Sequence, residues 1–460
     1  MFNYCEECLN KQREIDYLKD ENQRLRQKLR YKTRKENEGF FGSSTSSAKI
    51  PVKANTPDTE IKPRGAQEGH QGFGRKKISL SEADRIETIA PSAGENCPDC
   101  GNTLTEKGFD ERTVFDIRPI KAERIIYRLP KKYCRHCRRT FQPSPPGVLP
   151  KSLYGNQLIA TAASMHYLHG IAMGRICEQI GIGAGSLVEI FHNMAKLFNP
   201  VVPKLIEEYR QSVVRHADET GWRTNGKNGY VWLFATEKIS IFLFRKTRSA
   251  KVPQAVLGEK PLKGVLVVDR YAAYNKSPCA LQYCYAHLLR EVQDLEIDFP
   301  DSEEVETFAG VMASLLATAM NLRRQPITDN DYYVKAAEIK AHIIAAVESS
   351  SVHLGIQHIQ NIFHEKAHRM YHWAEDRRVP AENNLAERDL RPTVIARKVS
   401  FGSVSDAGAH TRSVLMTVLH SLKKQKSDAV IHFKNVLDQL SRDITLDPFP
   451  LLFHKDIPSP

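Results

Sequence analysis

No run in this chain approaches the roughly 20 consecutive apolar residues that cross a bilayer, and Met1-Phe2-Asn3-Tyr4-Cys5 opens without a basic-then-apolar leader. Both absences lead us to expect a cytoplasmic protein with no membrane partner. An acidic excess is missing too: 66 Lys and Arg against 54 Asp and Glu leave a net charge of +12 and a pI near 9.1. That balance leans weakly towards an anionic partner such as nucleic acid, and is also compatible with ordinary solubility. A length of 460 residues excludes a single small module. Apolar surface is scarce over 37–77, where Gly-Phe-Phe-Gly, a Ser/Thr run, prolines and glycines cannot offset ordering entropy, so a flexible linker is expected.

Six of the nine cysteines fall in Cys-x-x-Cys pairs, Cys5/Cys8, Cys97/Cys100 and Cys134/Cys137. In a large cytosolic chain this spacing suggests metal before disulfide. Cys97, Cys100, Cys134 and Cys137, with β-rich sequence such as 123–129 between them, can supply four thiolates to a structural Zn²⁺ in a zinc-ribbon-like domain over 78–146. The alternative is two unrelated reduced pairs. Cys5/Cys8 has no second pair unless a dimer supplies one, and Cys177, Cys279 and Cys284 stand alone as small buried side chains commonly do.

Ile15, Leu18, Leu25 and Leu29 keep heptad spacing with Asn22 at an a position. A leading helix over 1–36 is expected, either paired in a two-stranded coiled coil or packed as an amphipathic helix on its own protein. Met173–Ile182 and Ser186–Leu197, joined across Gly183-Ala184-Gly185 with Ser186 and Glu189 as a capping box, suggest a helix-turn-helix within a helical region over 147–205. The second helix is poor in Arg and Lys, which leaves a purely structural hairpin open.

From Val213 the apolar period drops to two. Strands are expected over Ser212–Asp218, Tyr230–Phe234, Ile239–Phe244, Val265–Val268 and Gln282–Tyr285, with turns at Asn225-Gly226 and Asn228-Gly229, a helix over Ser249–Leu257, and long helices to about Glu375. Asp218 and Asp269 each follow an apolar strand. If those strands are neighbours, about 5 Å apart, the two carboxylates can share a metal. Phosphodiester cleavage needs charge neutralised on the attacking and leaving oxygens, which two Mg²⁺ (or Mn²⁺) about 4 Å apart supply from carboxylate ligands.

A third carboxylate is sought on a helix expected to start at Pro380 and stop at Pro392. On such a helix Glu382 and Glu387 point about 140° apart, so only one can join the site. Glu387 is chosen because it shares a face with Asn383, Asn384 and Arg391. An ordinary Glu387–Arg391 surface pair is the alternative.

The ordered motifs His216-Ala217-Asp218-Glu219-Thr220, Asp269-x-Tyr271-Ala272-Ala273-Tyr274, Cys284-Tyr285-Ala286-His287-Leu288-Leu289-Arg290 and Asn383-Asn384-x-Ala386-Glu387-Arg388-x-Leu390-Arg391-Pro392 resemble the transposases of insertion-sequence family sixty-six, and the likeness continues through Arg397-Lys398 and Phe401-Gly402-Ser403. These are bacterial DDE transposases. The resemblance implies a multidomain α/β protein with a ribonuclease-H-like catalytic core over 206–435, a helical insertion at about 288–379 and a tail over 436–460. It implies Asp218, Asp269 and Glu387 as the acidic triad, with His287, Arg290, Arg388 and Arg391 near the DNA or the metal pocket. It also implies element ends and target DNA as partners, a homo-oligomer on DNA, small accessory transposition proteins and a place at the nucleoid.

Two positions depart from the family pattern. Arg270 stands where Gly is usual, to crowd Asp269 or to contact phosphate, and Glu382 stands where Asp is usual. The function expected is metal-dependent cleavage of element ends and strand transfer into target DNA. The alternatives are a non-catalytic zinc-containing DNA-binding regulator, or a nuclease without strand transfer.

Overall fold

The computed structural model describes residues 121–454 throughout and, before them, Val114 and parts of 10–22 and 79–105. Cys5, Cys8, Cys97, the linker expected over 37–77 and most of the leading helix, Leu25 and Leu29 included, lie outside the described residues. Those described within 10–22 are helical, with Ile15 and Leu18 exposed. The chain divides into two units, 51–121 and the remainder. In the smaller, Asn96 pairs with Thr103 across the turn carrying Cys100, and Gly101 takes φ +75°.

In the larger unit β1 (Lys132–Cys134) and β2 (Arg139–Phe141) form a hairpin whose turn carries Cys137. Helices α1 (Asn156–Ala163), α2 (Met173–Ile180), α3 (Ala184–Phe198) and α4 (Val201–Gln211) follow. Gly181, at φ +81°, ends α2 in the left-handed conformation and turns the chain. The capping box expected at Ser186 is absent: α3 already starts at Ala184, because the Leu187 N–H reaches the Gly183 carbonyl, and Ser186 lies inside the helix.

Five strands form one mixed sheet, β3 (Val214–Thr224), β4 (Lys227–Ala235), β5 (Ser240–Arg245), β6 (Val265–Val268) and β7 (Ala280–Tyr283), in the order β5-β4-β3-β6-β7. The first three run antiparallel, while β6 and β7 run parallel to β3, reached by a crossover through α5 (Lys251–Leu257). β3 continues six residues past Asp218, where its end was expected. Asn225 and Gly226, at φ +51° and +70°, form the two-residue turn that lets β4 pair along Glu219–Thr224, which carries no alternating apolar signal. Asp218 therefore stands just beyond the end of the parallel pairing with β6, not at the end of its strand.

β5 is an edge strand, and its open backbone groups are covered by a helix. α12 (Asp406–Gln425) offers Thr417 Oγ1 to the Phe242 N–H at 2.9 Å and Ser421 Oγ to the Ser240 N–H at 3.0 Å, while the Ser413 hydroxyl donates to the Phe242 carbonyl. Between β7 and this helix come α6 (Tyr285–Asp298), α7 (Glu303–Leu322), α8 (Asp329–Glu348), α9 (Leu354–Glu365), α10 (His372–Glu375) and α11 (Asn384–Ser400); α13 (Ala429–Arg442) and α14 (Pro448–Phe453) close the described chain. Against the reading of the apolar runs, one helix among the described residues, α7, is long and apolar enough by composition to cross a membrane. Its Val305, Phe308, Met312, Leu316 and Leu322 are buried in the fold.

α11 also differs from expectation, starting at Asn384 and running through Pro392 to Ser400. Proline costs one backbone hydrogen bond, and burial of Leu390, Thr393, Val394, Ala396 and Arg397 carries the helix across it. Residues 380–383 lie outside the helix, with the Ala381 carbonyl accepting the Tyr285 N–H at 2.8 Å.

Gly264, at φ +83°, admits β6 to its place beside β3: a Cβ there would sit 2.0 Å from the Val213 carbonyl oxygen. Gly264→Ala is expected to cost about 2 kcal/mol or more in urea unfolding. Gly310→Ala, where a Cβ meets nothing within 4 Å, is expected to leave stability unchanged or raise it slightly. Equal effects of the two substitutions would contradict the close approach.

Candidate active site

Alternation along β3 sorts its polar residues onto two faces. Asp218 shares a face with His216 and Thr220, opposite Leu233, Ala235 and Val231 of β4, while Glu219 lies opposite Trp232 on the other face. All of these β3 side chains are buried. On the Asp218 face, Asn383 binds β3 twice: its Nδ2 donates to the Ala217 carbonyl at 2.9 Å, and its Oδ1 lies 2.9 Å from His216 Nδ1. Burial pushes His216 down to about 4, so the neutral ring serves as the donor to that oxygen. The Asn383 N–H donates to Cys284 Sγ at 3.1 Å. Asn383 thus ties the start of α11 to both β3 and the start of α6, and Glu387 sits in the first turn of α11.

Asp218, Asp269 and Glu387 act on one another electrically. Burial raises the Asp218 carboxyl well above its ordinary range, with Glu219, Asp269 and Glu387 adding to the rise. Asp269 is raised chiefly by burial, with Glu387 contributing and Arg248 and Arg270 opposing. The Glu387 Oε1 lies 3.5 Å from Arg290 Nη2 and 3.9 Å from His287 Nδ1. Burial, with Arg290 and Arg270 nearby, lowers His287 to about 4, so this imidazole is neutral and its contact with Glu387 is not an ion pair. One buried and two part-buried carboxylates that repel one another are a donor set for hard divalent cations, so these residues fit Mg²⁺ or Mn²⁺. Among the described residues these three are not a trio whose donor atoms all lie within 4.8 Å of one another.

Glu382, the competing carboxylate, points elsewhere: it is buried and bonded to Arg324 Nη2 at 2.7 Å. Arg388 lines a cavity of about 1300 Å³ with Glu382, Asp389 and Lys424 at the end of the sheet where β3 begins, away from Asp218 and Asp269. Arg391 is exposed on α11. Arg270 forms an ion pair with Glu291 of α6, which turns its guanidinium aside and leaves Asp269 uncrowded.

Sequence reasoning missed the support beneath Asp269. Glu219 accepts two bonds at Oε1 from Arg248, at 2.9 and 2.5 Å, and one at Oε2 from the Tyr274 hydroxyl at 2.5 Å. The Arg248 guanidinium lies 3.9 Å over the Tyr271 ring, whose hydroxyl donates to the Arg248 carbonyl at 2.5 Å. The two tyrosines three residues apart after Asp269 were the available signal. Downstream, Arg397 donates to Gly221 O at 2.6 Å, and Gly402, at φ +135°, brings the Ser403 N–H to the Arg223 carbonyl at 2.8 Å. The Phe-Gly-Ser motif therefore docks on the far end of β3.

In the hairpin knuckle, bonds from the Cys137 N–H and thiol and from the His136 N–H lower the Cys134 thiol below its usual range. That is the environment of a thiolate ready to bind Zn²⁺.

Residues 151–411 match the family described as Transposase IS66 family, and residues 95–138 match the zinc-finger binding domain of transposase IS66. A relative in Sinorhizobium fredii, the uncharacterized protein y4qI, is 23% identical over 430 residues, covering 84% of this chain and 75% of its own length.

The raised carboxyls make stability depend on pH. The folded affinity of Asp218 and Asp269 for protons exceeds the unfolded one, so stability is full below the ordinary carboxylate range and falls as pH rises through their raised folded values. A bound divalent cation reverses that loss. Mg²⁺ is expected to raise the melting temperature more at about pH 8 than at about pH 5, and Asp218→Asn to raise the metal-free melting temperature at the higher pH while removing most of the Mg²⁺ response. An Mg²⁺ response that survives intact in Asp218→Asn would contradict the assignment.

Proposed function

This chain belongs to the IS66 family of transposases, and we propose that it cuts the ends of its own mobile element and joins them to target DNA at a site built from Asp218, Asp269 and Glu387. The observation that carries this reading is that the Asp218 carboxyl of β3 and the Asp269 carboxyl at the end of β6 are both raised, by burial first and in part by the charge of Glu387 from the first turn of α11. The strand order, with an antiparallel trio extended by two parallel strands and a helical insertion before α11, supports a ribonuclease-H-like core. The α2–α3 pair supports a helix-turn-helix, and the knuckle chemistry supports a structural Zn²⁺ held by Cys97, Cys100, Cys134 and Cys137. DNA ends and target are the partners in this reading, with a homo-oligomer assembled on them and small accessory proteins of the element as further partners.

Mg²⁺ or Mn²⁺ held by Asp218, Asp269 and Glu387 would supply charge neutralisation at the phosphate and a more acidic bound water. The chain's own residues do the rest. Arg290, 3.5 Å from Glu387, exposes enough of its guanidinium to exchange that carboxylate for a phosphate oxygen when DNA arrives. Neutral His287 adds no charge to repel the cations. Arg248 and Tyr274 satisfy Glu219 on the reverse face, so the acid next to Asp218 does not compete for the cations.

Asp218→Ala, Asp269→Ala and Glu387→Ala are each expected to lower Mg²⁺-dependent cleavage of element ends by about a hundredfold or more while end binding persists. Glu382→Ala is expected to retain cleavage. Normal cleavage by Glu387→Ala with loss in Glu382→Ala would move the third ligand, and cleavage without joined products would reduce the protein to a nuclease.

A further inference from the structure

We propose that Cys284, His287 and Glu387 form a second binding site for a borderline divalent cation, Zn²⁺ foremost, and that its occupancy withdraws Glu387 from the catalytic carboxylates. Among the described residues these three are the one trio of Cys, His and acidic side chains whose donor atoms all lie within 4.8 Å of one another. Cys284 precedes α6 and His287 lies in its first turn, three residues on and so on the same side of the helix. Glu387 comes from the first turn of α11, and two bonds staple the approaches to these helices, Asn383 N–H to Cys284 Sγ at 3.1 Å and Tyr285 N–H to the Ala381 carbonyl at 2.8 Å. The frame is therefore set before any ion binds.

His287 Nδ1 supplies the independent observation: it is buried, faces Glu387 Oε1 at 3.9 Å, and has no hydrogen-bond partner. Leaving a buried ring nitrogen unsatisfied is destabilising, and coordination would remove that cost. Thiolate, imidazole and carboxylate together suit Zn²⁺ and leave a fourth position open, whereas Mg²⁺ takes oxygen donors. Binding converts the Cys284 thiol to thiolate, and its proton leaves to solvent. His287 and Glu387 are partly exposed, so an ion reaches the site from their side.

Occupancy of this site stands on the geometry alone; its inhibitory consequence rests on the catalytic role given to Glu387. The test is zinc stoichiometry of the full-length protein by native mass spectrometry. Wild type is expected to hold a tight zinc at the cysteine knuckles and a second, more readily chelated one; Cys284→Ser and His287→Ala should each lose only the second, and Cys134→Ser only the first. Co²⁺ in place of the second zinc should show thiolate charge-transfer absorption that Cys284→Ser removes, with melting curves confirming that each variant is folded. Added Zn²⁺ should inhibit Mg²⁺-dependent cleavage in wild type and do so about tenfold less effectively in Cys284→Ser. Equal zinc content in wild type and both site variants overturns the site. A second zinc that leaves cleavage untouched overturns the withdrawal of Glu387, and the zinc count remains decisive even if wild type does not cleave.

Discussion

Asn383 is the joint on which the candidate site depends. One buried side chain and its own N–H engage β3 through Ala217 and His216, and the start of α6 through Cys284, so the first turn of α11 has a fixed position relative to the strand that carries Asp218 and to α6. Such a network is needed because the groups it gathers repel one another. Burial and neighbouring carboxylates raise the proton affinity of Asp218 and Asp269, and a rigid frame keeps Glu387 close to them when no cation is present. The energy stored in that repulsion is what a divalent cation recovers on binding.

The rest of the fold protects this arrangement from two sides. Behind the sheet, Glu219, Arg248, Tyr271 and Tyr274 form a closed polar group that holds the turn after Asp269. At the open edge, the hydroxyls of α12 bond the backbone of Ser240 and Phe242 in β5 and so cover much of that edge. The last turn of α11 and the motif after it serve the same end: Arg397 and Ser403 bind the distal part of β3 and keep the long hairpin aligned with the helix that carries Glu387.

Much of this was legible in the sequence. The all-apolar run before Asp269 marks a strand buried on both faces, and Asn225-Gly226 marks the hairpin turn that joins β3 to β4. What was not legible depends on contacts between distant segments. β3 is longer than its alternation indicated because pairing with β4, not local pattern, extends it. Pro392 did not stop α11, since burial of the flanking residues outweighs one lost hydrogen bond. Thr417 and Ser421 look like surface residues until the edge strand beside them is known, and Glu219 looks like a second candidate ligand until pleating is seen to turn it to the opposite face. Choosing between Glu382 and Glu387 by helical angle rested on a helix start that proved four residues too early; Arg324 is what separates them in space.

Anomalous diffraction from crystals of the protein grown with Mn²⁺ addresses the central claim most directly. Manganese is expected against the carboxylates of Asp218, Asp269 and Glu387, with Glu387 drawn off Arg290 towards the ions. Manganese bound elsewhere, with Glu387 still resting on Arg290, would contradict it.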